Sequence, residues 1–336
     1  MENKIIFVAQ DRGSGNALTP VIKNIIQEKK FSAKVYASEN SKKIFQNSGI
    51  IFTDPEENLN KEFGDFKPRL IVTGSSMRRS IEKEAIKYAR EHSIKSISVL
   101  DFWGNFWHKF TINGEKDQDS LPDHILIPDQ IAMERMTDEG FPPIKLVITG
   151  NPYFDSFSFS DNKEDEKSKK KILFVSQPVY RNGKYLTNIR RIKDVIEVLK
   201  KIDYSLSLTV KPHPRERFNS FKEIIKNGEI DIYPGNDIKS VIKEFDIFIG
   251  TDSTVLFEAA FCGKHVISYQ TDIKNKDSLI TNALGISNLV RNKVDMERVL
   301  NKVIYKNFYR KEIPVIKYYN DGLCTKRVSS FIKKIF

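Results

Sequence analysis

Two stretches decide the fold of this chain, Lys211-Pro212-His213-Pro214-Arg215-Glu216 and Asp246-Ile247-Phe248-Ile249-Gly250-Thr251-Asp252-Ser253-Thr254-Val255-Leu256-Phe257-Glu258. In each, an apolar run predicted to be a strand continues into polar residues before a helix-like segment. In a parallel α/β sheet this is the edge where ligands bind, and the free N–H groups of a helix N-terminus there favour phosphate. The pair therefore predicts an enzyme that holds a nucleotide-activated donor.

Outside these stretches, strand-like and helix-like segments alternate along the chain, which is typical of parallel sheets covered by helices on both faces. We therefore predict an α/β fold. The predicted strands are Lys4–Ala9, Ala33–Ala37, Leu70–Thr73, Ser96–Leu100, His124–Ile127, Leu146–Thr149, Ile172–Val175, Leu206–Val210, Ile230–Tyr233, Asp246–Ile249 and His265–Ser268. The predicted helices are Ala17–Lys30, Arg78–His92, Leu186–Lys201, Ile238–Phe245 and Thr254–Cys262.

The length of 336 residues and one polar segment predict two domains. The segment from Ser160 to Lys171 holds no apolar residue, so it cannot bury surface and is typical of a linker. The expected organisation is an N-terminal domain at 1–155, a linker at 156–171, a C-terminal domain at 172–318 and an amphipathic helix at 319–336. We expect that helix to pack back toward the N-terminal domain.

Composition limits the class of partner and the location. The net charge of +11 fits an anionic substrate or peripheral contact with an anionic membrane surface. Because the basic residues are scattered and no aromatic ladder accompanies them, we expect no nucleic-acid partner. Two cysteines, Cys262 and Cys324, are too few for a disulfide framework and fit a reducing cytoplasm. No run of 18 apolar residues predicts a membrane span.

His213 is the first candidate ligand for the donor. The prolines on either side fix the backbone, so the imidazole would point in a set direction. It could donate to a phosphate, with Lys211 and Arg215 as supplementary cations. The alternative is a loop histidine that is satisfied by a neighbouring carbonyl.

The residues Thr251 to Thr254 open a predicted helix, where unpaired N–H groups and hydroxyls suit a phosphate oxygen. Plain N-capping by Asp252 or Ser253 is the alternative. Because a carboxylate would repel a diphosphate, we assign Asp252 to capping or backbone orientation. The donor-binding candidates are then Ser176, Thr251, Ser253, Thr254 and Glu258. Glu258 lies one turn into the helix and would reach the hydroxyls of a ribose or sugar, or else pair with a lysine.

In the first half, Gly13, Ser14, Gly15 and Asn16 follow the first predicted strand. Glycine lets the backbone approach a ligand closely, so these residues are candidates for acceptor binding; a flexible loop is the alternative. A dinucleotide fingerprint would need a further glycine where Leu18 stands, which disfavours an NAD enzyme.

Both tryptophans of the chain, Trp103 and Trp107, follow the strand that ends at Leu100. Aromatic faces stack on sugar rings, so an acceptor platform is one interpretation and a hydrophobic anchor is the other. Asp11, Asp101 and His108 are the candidate general bases, and the sequence does not choose among them. Without a Cys/His cluster of ligand spacing, we expect no metal and no cofactor.

At these motifs the chain resembles the GT-B glycosyltransferase superfamily, and Lys211–Glu216 with Thr251–Thr254 is similar to two groups within it. These are the bacterial CMP-sugar transferases of the sialyl and Kdo type and the CDP-glycerol glycerophosphotransferases. The segment Ile249–Tyr269 resembles their donor-phosphate segment, and Val147–Asp155 resembles the interdomain segment of UDP-GlcNAc 2-epimerase relatives. The resemblance implies two Rossmann-like domains with parallel sheets facing across a cleft and a C-terminal helix crossing back. It also implies a CMP or CDP donor.

The leading hypothesis is a metal-independent glycosyltransferase. It would move a sugar or polyol-phosphate to a cell-envelope or capsular glycan, or to a lipid-linked acceptor, in the cytoplasm or at the inner membrane face. His213 would stabilise the departing nucleotide. One alternative is a nucleotide-sugar epimerase or hydrolase of the UDP-GlcNAc 2-epimerase type, which predicts several converging carboxylates in the first domain. The sequence shows few of these. The other alternative is a non-catalytic sugar-nucleotide-binding protein.

Overall fold

The structure is a computed structural model, and its chain divides into two compact units. The first unit comprises Met1–Phe157 and Tyr318–Phe336, and the second comprises Ser158–Lys317. The predicted linker lies largely outside the described residues, as does Pro214. The structure describes residues 3–55, 59–77, 79–156, 170–181, 184–186, 189–203, 205–213, 215–235, 238–271, 277, 279–305 and 321–336.

Six parallel strands form the sheet of the first unit. They are β1 (Asn3–Ala9), β2 (Phe31–Ala37), β3 (Leu70–Thr73), β4 (Lys95–Val99), β5 (His124–Ile127) and β6 (Leu146–Ile148). Their order is β2-β1-β3-β4-β5-β6. A parallel bridge from Thr53 to Tyr36 extends the sheet beyond β2. The chain therefore builds outward from β1 on one side and then reverses at β3.

Helices cover both faces of this sheet. They are α1 (Arg12–Gln27), α2 (Glu39–Asn47), α3 (Leu59–Phe66), α4 (Ile81–Glu91), α5 (Phe106–Phe110) and α6 (Gln130–Asp138). Because side chains alternate across a strand, Ile5 and Phe7 of β1 pack with α1, whereas Ile6 and Val8 pack with α3 and α4. Shared burial of both faces explains the continuous apolar runs in the sequence.

The second unit repeats this plan. Its strands are β7 (Ile172–Val175), β8 (Val179–Arg181), β9 (Lys184–Leu186), β10 (Leu208–Lys211), β11 (Ile230–Ile232), β12 (Ile247–Gly250), β13 (His265–Tyr269) and β14 (Asn288–Val290). β8 and β9 form a separate antiparallel pair, and the other six form a parallel sheet in the order β11-β10-β7-β12-β13-β14. The predicted α/β fold with parallel sheets is confirmed.

The helices of the second unit pack on a core formed by the parallel strands. They are α7 (Ile189–Ile202), α8 (Lys222–Lys226), α9 (Ile238–Glu244), α10 (Thr254–Phe261), α11 (Ile280–Ala283) and α12 (Lys293–Tyr305). Every residue of α10 from Val255 to Phe261 is buried, whereas α7 and α12 bury one face each. α10 is therefore the central helix of this unit, and its N-terminus is fixed by burial of the rest.

The last helix, α13 (Cys324–Ile335), belongs to the first unit and packs against α1. Val328 and Ile332 are fully buried in the core that also holds Ile5 and Phe7. The carboxylate of Asp155 accepts the N–H groups of Cys324 at 3.0 Å and Thr325 at 2.6 Å, so a residue from a distant part of the chain caps this helix. No helix within the described ranges is long and apolar enough to span a bilayer.

Candidate functional site

The reversal of strand order leaves a crevice at the carboxyl edge of each sheet, which is where ligands bind in open α/β sheets. The first crevice lies between the ends of β1 and β3. The second crevice lies between the ends of β7 and β12. Both carry the polar residues that the sequence singled out.

Glu82 of α4 closes the first crevice. Its Oε1 accepts the N–H of Gln10 at 3.2 Å, and its Oε2 accepts the N–H of Ser76 at 2.7 Å. The side chain is 1 % exposed. Burial raises the pKa of this carboxyl to about 7, the charge of Asp11 adds to the increase, and the hydrogen bonds from Ser76 and Ser14 oppose it. Glu82 therefore changes charge close to neutral pH.

Asp101, one of the three predicted bases, lies at the same edge after β4. Its Oδ1 accepts the Ser75 hydroxyl at 2.9 Å and pairs with the buried Lys109 ammonium at 2.5 Å. The other carboxylate oxygen lies against Gly13, where any larger side chain would collide with it. Asp101 is thus held between a cation and the start of α1.

Asp11, the second predicted base, is the N-cap of α1, and its Oδ1 accepts the N–H of Ser14 at 2.9 Å. Its own N–H donates to the Ser76 hydroxyl at 3.1 Å. Beside it, the Lys83 ammonium donates to the Ser76 carbonyl at 2.9 Å. Burial lowers the pKa of Lys83 to about 8; the charge of Glu82 raises it and that of Lys109 lowers it. Three carboxyl groups and two ammonium groups therefore meet at the first crevice.

The third predicted base, His108, has an exposed position on α5 and lies against Gly114. α5 instead turns Lys109 toward Asp101. The structure therefore brings Asp11 and Asp101 into the first crevice and leaves His108 on the surface of the unit.

The two tryptophans are buried, which corrects the interpretation of an acceptor platform. Trp103 is 2 % exposed and donates its indole N–H to Asp129, and Trp107 is 5 % exposed and stacks on Phe141 with ring centroids 4.1 Å apart. Rings enclosed in this way offer no face to a sugar. We assign them to the hydrophobic anchor that was the alternative.

The predicted acceptor loop is helical, because α1 begins at Arg12 and not near Ala17. Asp11 caps the helix, and this cap offsets the low helix propensity of the two glycines that suggested a loop. Ser14 is buried, with its hydroxyl 3.1 Å from that of Ser76, and Gly15 is buried against α2. Gly13 and Asn16 are partly exposed.

In the second crevice the bridging group is a neutral amide. The Gln177 Oε1 accepts the N–H of Asp252 at 3.0 Å, joining the ends of β7 and β12. Ser253, not Asp252, is the N-cap of α10, and its hydroxyl accepts the Val255 N–H at 3.2 Å. Because a hydroxyl can accept and still donate, capping leaves Ser253 able to donate a hydrogen bond. Thr254 is exposed at the start of the helix.

His213 follows β10 with its ring orientation fixed. Its Nδ1 lies 3.1 Å from the N–H of Arg215, a group that can only donate. The neutral ring must therefore carry its proton on Nε2. Burial lowers the pKa of His213, Arg215 and Lys211 lower it further, and Glu216 opposes them. A neutral donor is therefore favoured at neutral pH.

Glu216 holds this turn in place. Its Oε2 accepts the N–H of His213 at 2.8 Å, and its Oε1 accepts the hydroxyl of Ser176 at 2.9 Å. The carboxylate thereby ties the end of β7 to the end of β10. Ser176 is consequently a support for the His213 turn, and the exposed Arg215 flanks it.

Thr251 and Lys211 are engaged within the protein. The Thr251 hydroxyl accepts from the buried guanidinium of Arg191 at 2.7 Å, which brings a cation beneath the start of α10. The Lys211 ammonium donates to the Gly235 carbonyl at 2.9 Å, and burial lowers its pKa. Glu258 is 4 % exposed on α10, so its carboxylate lies inside the unit.

Sheet register brings His213 and the start of α10 to one edge. Lys211 of β10 and Gly250 of β12 are both in register with Val175 of β7, which lies between them. With strands spaced about 4.8 Å apart, the ends of β10 and β12 are roughly 10 Å apart. His213 and Ser253 follow these ends by two and three residues, so both lie at this edge of the sheet.

Sequence reasoning missed Glu82, Lys83, Lys109, Gln177, Arg191 and Glu216 as members of the two crevices. Glu82 and Arg191 stand in helical patterns where charge usually faces solvent, so their burial has no local signal. Glu216 is the last residue of the Lys211–Glu216 motif, so its role beside His213 could have been predicted from the sequence. Across the described ranges, no group of three or more His, Cys, Asp or Glu side chains is arranged to hold a metal ion.

Comparison with known proteins gives matches in structure alone. No family model and no curated protein matches the sequence. The UDP-GlcNAc 2-epimerase of Neisseria meningitidis, bound to UDP-GlcNAc, matches with a TM-score of 0.74 at 15 % identity over 98 % of this chain and 100 % of that one. The UDP-GlcNAc 2-epimerase of Methanocaldococcus jannaschii, in complex with UDP-GlcNAc and UDP, matches with a TM-score of 0.66 at 16 % identity over 98 % and 99 %.

Acinetobacter baumannii MurG is also similar, with a TM-score of 0.63 at 12 % identity over 99 % of each chain. The chain has the GT-B fold. This confirms the predicted fold. Sequence identity of 12 to 16 % supports the shared fold and no closer relationship. The resemblance to the CMP-sugar and CDP-glycerol transferases remains a prediction.

Proposed function

We propose that this protein is an enzyme acting on a nucleotide-activated sugar, and specifically an epimerase or hydrolase of a UDP-sugar. The observation that carries the proposal is the meeting of Asp11, Glu82 and Asp101 at the first crevice. An epimerase or hydrolase of this type predicts several converging carboxylates in the first domain. UDP-GlcNAc, bound by the Neisseria neighbour, is our first candidate substrate.

In this proposal the second unit holds the nucleotide diphosphate. Negative charge grows on the diphosphate as its bond to the sugar breaks. The His213 Nε2–H, the hydroxyl of Ser253, the N–H groups at the start of α10 and the guanidinium of Arg191 would all stabilise that charge. These groups are fixed before the reaction, so little reorganisation is needed.

The first unit supplies proton transfer. Asp101 and Asp11 are the partly exposed carboxylates, so one of them takes a proton from the sugar or from an attacking water. Glu82 is buried and does not reach substrate; it orders the Gln10 and Ser76 loops and titrates near neutral pH. Protonation of Glu82 would thereby set the charge beside Asp11.

A glycosyltransferase is the second candidate. The fixed Nε2–H of His213 favours it, because the sequence Lys211–Glu216 around this histidine resembles that of CMP-sugar and CDP-glycerol transferases. In this case the acceptor would be a cell-envelope or capsular glycan, or a lipid-linked sugar. Both candidates are metal-independent enzymes of the cytoplasm, and the second adds peripheral contact with the membrane.

The test combines binding with turnover. Calorimetric titration with UDP, CDP and CMP, and incubation with UDP-GlcNAc without an acceptor, separate the two candidates. We expect UDP to bind best and free UDP or the 2-epimer to form. His213→Ala should weaken UDP binding about tenfold or more, whereas Lys23→Gln on the exposed face of α1 should leave it unchanged. A preference for cytidine nucleotides with no acceptor-free turnover would transfer the assignment to the second candidate.

A further inference from the structure

A groove of about 490 Å³ runs beside α4 in the first unit. One wall is the side of α4, and the other is the segment that runs from Phe110 to Ser120. The charged residues lining it are Arg79, Lys83, Glu84, Lys87, Arg90, Glu115 and Asp117. Lys83 belongs to both the groove and the first crevice, so the groove leads outward from the proposed proton-transfer groups.

The α4 wall is cationic. Lys83, Lys87 and Arg90 are four and three residues apart, so they share one helix face, and Arg79 precedes the helix. Arg90 donates to the carbonyl of Asp119 on the opposite wall. Lys83, Lys87 and Arg90 therefore form a row along this wall, with Lys87 also 3.7 Å from Glu91.

The acidic lining residues are engaged locally. Glu84 pairs with Arg79 at 3.3 Å, and Glu115 accepts the Asn113 amide at 3.3 Å. Asp117 accepts the Ser120 hydroxyl and the Asp119 N–H, and these bonds hold its pKa below the usual value, with the hydroxyl of Ser120 contributing most. Because these carboxylates are paired locally, they neutralise only part of the positive charge along α4.

Lys83 is the cation that gains most from an anionic ligand. It is half-buried, its ammonium donates to the neutral Ser76 carbonyl, and the like charge of Lys109 acts on it. A buried cation beside a like charge is costly, and an oxyanion that enters from the groove would offset that cost. The negative charges of Glu82 and Asp11 already offset part of it.

We propose that this groove is a binding site for an oxyanion, a carboxylate or phosphate group carried by a saccharide, with Lys83 as the inner ion-pair partner. Lys87 and Arg90 would guide the group inward from the outer end. The oxyanion site stands on the groove and its cations; its assignment to the saccharide substrate rests on the proposed function. The nucleotide is not the ligand of this groove, because the proposed function places the nucleotide in the second unit.

The opposite wall suits a sugar ring. Ile112 is 61 % exposed on that wall, and Asn113 adds an amide. An apolar side chain and a polar amide can contact the carbon face and the hydroxyls of a pyranose respectively. The ligand class is therefore an acidic sugar, such as a uronic acid or a sugar phosphate.

Calorimetry at low ionic strength tests the proposal with three probes: glucuronate, glucose 6-phosphate and inorganic phosphate. We expect at least one of the two sugars to bind wild type more tightly than inorganic phosphate does. Lys83→Gln should weaken that binding about tenfold, and Lys87→Gln with Arg90→Gln about threefold to tenfold. Lys23→Gln, an exposed lysine of the same unit, should have no effect. Stronger binding of glucuronate would identify a carboxylate, and stronger binding of glucose 6-phosphate a phosphoryl group.

Equal binding by wild type and the groove variants would overturn the proposal, and so would no binding of any probe at millimolar concentration. Inorganic phosphate binding as tightly as both sugars would overturn the saccharide assignment. An NMR titration of Lys83 gives a second readout, since a bound oxyanion must raise its pKa from about 8. UDP binding is measured separately: if UDP fails to bind wild type while the probes bind at the groove, the proposed function fails and the oxyanion site stands.

Discussion

The first and second crevices occupy the same topological position and differ in charge. In each, one side-chain oxygen joins the ends of the two strands at the reversal: Glu82 does so in the first and Gln177 in the second. The first crevice therefore holds three carboxyl groups and two ammonium groups, whereas the second holds amides, a neutral imidazole, a buried guanidinium and one carboxylate, Glu216. Under the proposed function, the shared strand order would place a ligand at each crevice, and the bridging residue would contribute to the charge that the crevice accepts.

Under the proposed function, this difference would assign the two parts of a nucleotide sugar by electrostatics. A diphosphate in the first crevice would meet three carboxyl groups, Asp11, Glu82 and Asp101, against two ammonium groups, Lys83 and Lys109. The same group in the second crevice would meet the donors of His213, Ser253 and the start of α10, beside a single carboxylate, Glu216, that is already bonded to Ser176 and the His213 N–H. Four variants test this contrast, and the one with the largest expected effect comes first.

Asp101→Asn tests whether Asp101, and not Asp11, is the proton-transfer group of the proposed function. We expect kcat to fall about 10³-fold, because a positioned acid or base contributes about 10² to 10⁴. The UDP dissociation constant should not change, since the proposed function places the nucleotide in the other unit. Steady-state kinetics and calorimetry measure the two effects.

Loss of the Asp101 partner leaves Lys109 buried, so the variant must be shown to be folded. Both tryptophans are in the first unit, which makes their fluorescence a specific report on it. Asp65→Asn, an exposed acidic residue of α3, serves as the matched control. A folded Asp101→Asn enzyme with wild-type kcat would remove Asp101 from the mechanism.

Gln177→Glu gives the second crevice the bridging group of the first. The new carboxylate can still accept the Asp252 N–H, so the fold should persist while a negative charge faces the diphosphate. UDP binding should weaken at least about tenfold, and more at low salt because screening is weaker there. Unchanged UDP affinity in titrations at two salt concentrations would mean that the charge of this crevice does not select the nucleotide.

Asp11→Asn tests the coupling that makes Glu82 unusual. Asparagine also caps helices well, so α1 should persist. Without the Asp11 charge, the pKa of Glu82 should fall below about 7, because burial alone remains to raise it. Carbon-13 NMR of labelled glutamate side chains measures this directly, and a Glu82 titration identical in both proteins would contradict the coupling.

The same variant has a predicted effect on stability. A carboxyl whose pKa is raised on folding stabilises the fold below its unfolded pKa near 4.5, and this contribution is lost as the pH rises through about 7. The free energy of unfolding of the first unit should therefore decline over this range in wild type and decline less in Asp11→Asn. Urea titrations followed by tryptophan fluorescence measure both.

Ser176→Ala is expected to have the smallest effect. It removes the hydroxyl that donates to Glu216 and leaves the bond from Glu216 to the His213 N–H in place. One hydrogen bond contributes about 1 kcal/mol, so UDP affinity should fall no more than about fivefold. A loss as large as that of His213→Ala would show instead that Ser176 contacts the nucleotide itself.

The sequence was sufficient where burial leaves a local pattern. Apolar runs such as Ile172–Val175 and Ile247–Ile249 gave the parallel strands, because strands buried on both faces read as continuous apolar stretches. The short edge strand β14 and the hairpin β8–β9 were missed, since neither has such a run. Strand alternation with helices was enough for the fold class.

The crevices were only partly predictable. His213 and Ser253 could be placed at strand ends by position alone. The burial of Glu82 depends on backbone N–H groups of residues 6 and 72 positions away in sequence, and no window of sequence reports that. The prediction for the two tryptophans was wrong for the same reason. They are enclosed by Phe141 and Asp129, which lie on later segments of the chain.

The capping of α13 by Asp155 has a consequence for how the polypeptide matures on the ribosome. The second unit is one continuous stretch, whereas the core of the first is completed by Val328 and Ile332, which are translated only after the whole second unit. At about 5 to 20 residues per second, the nascent amino-terminal segment waits roughly 10 to 35 s for α13. A protein synthesised without α13 would leave an apolar stripe on α1 for chaperones and proteases to find.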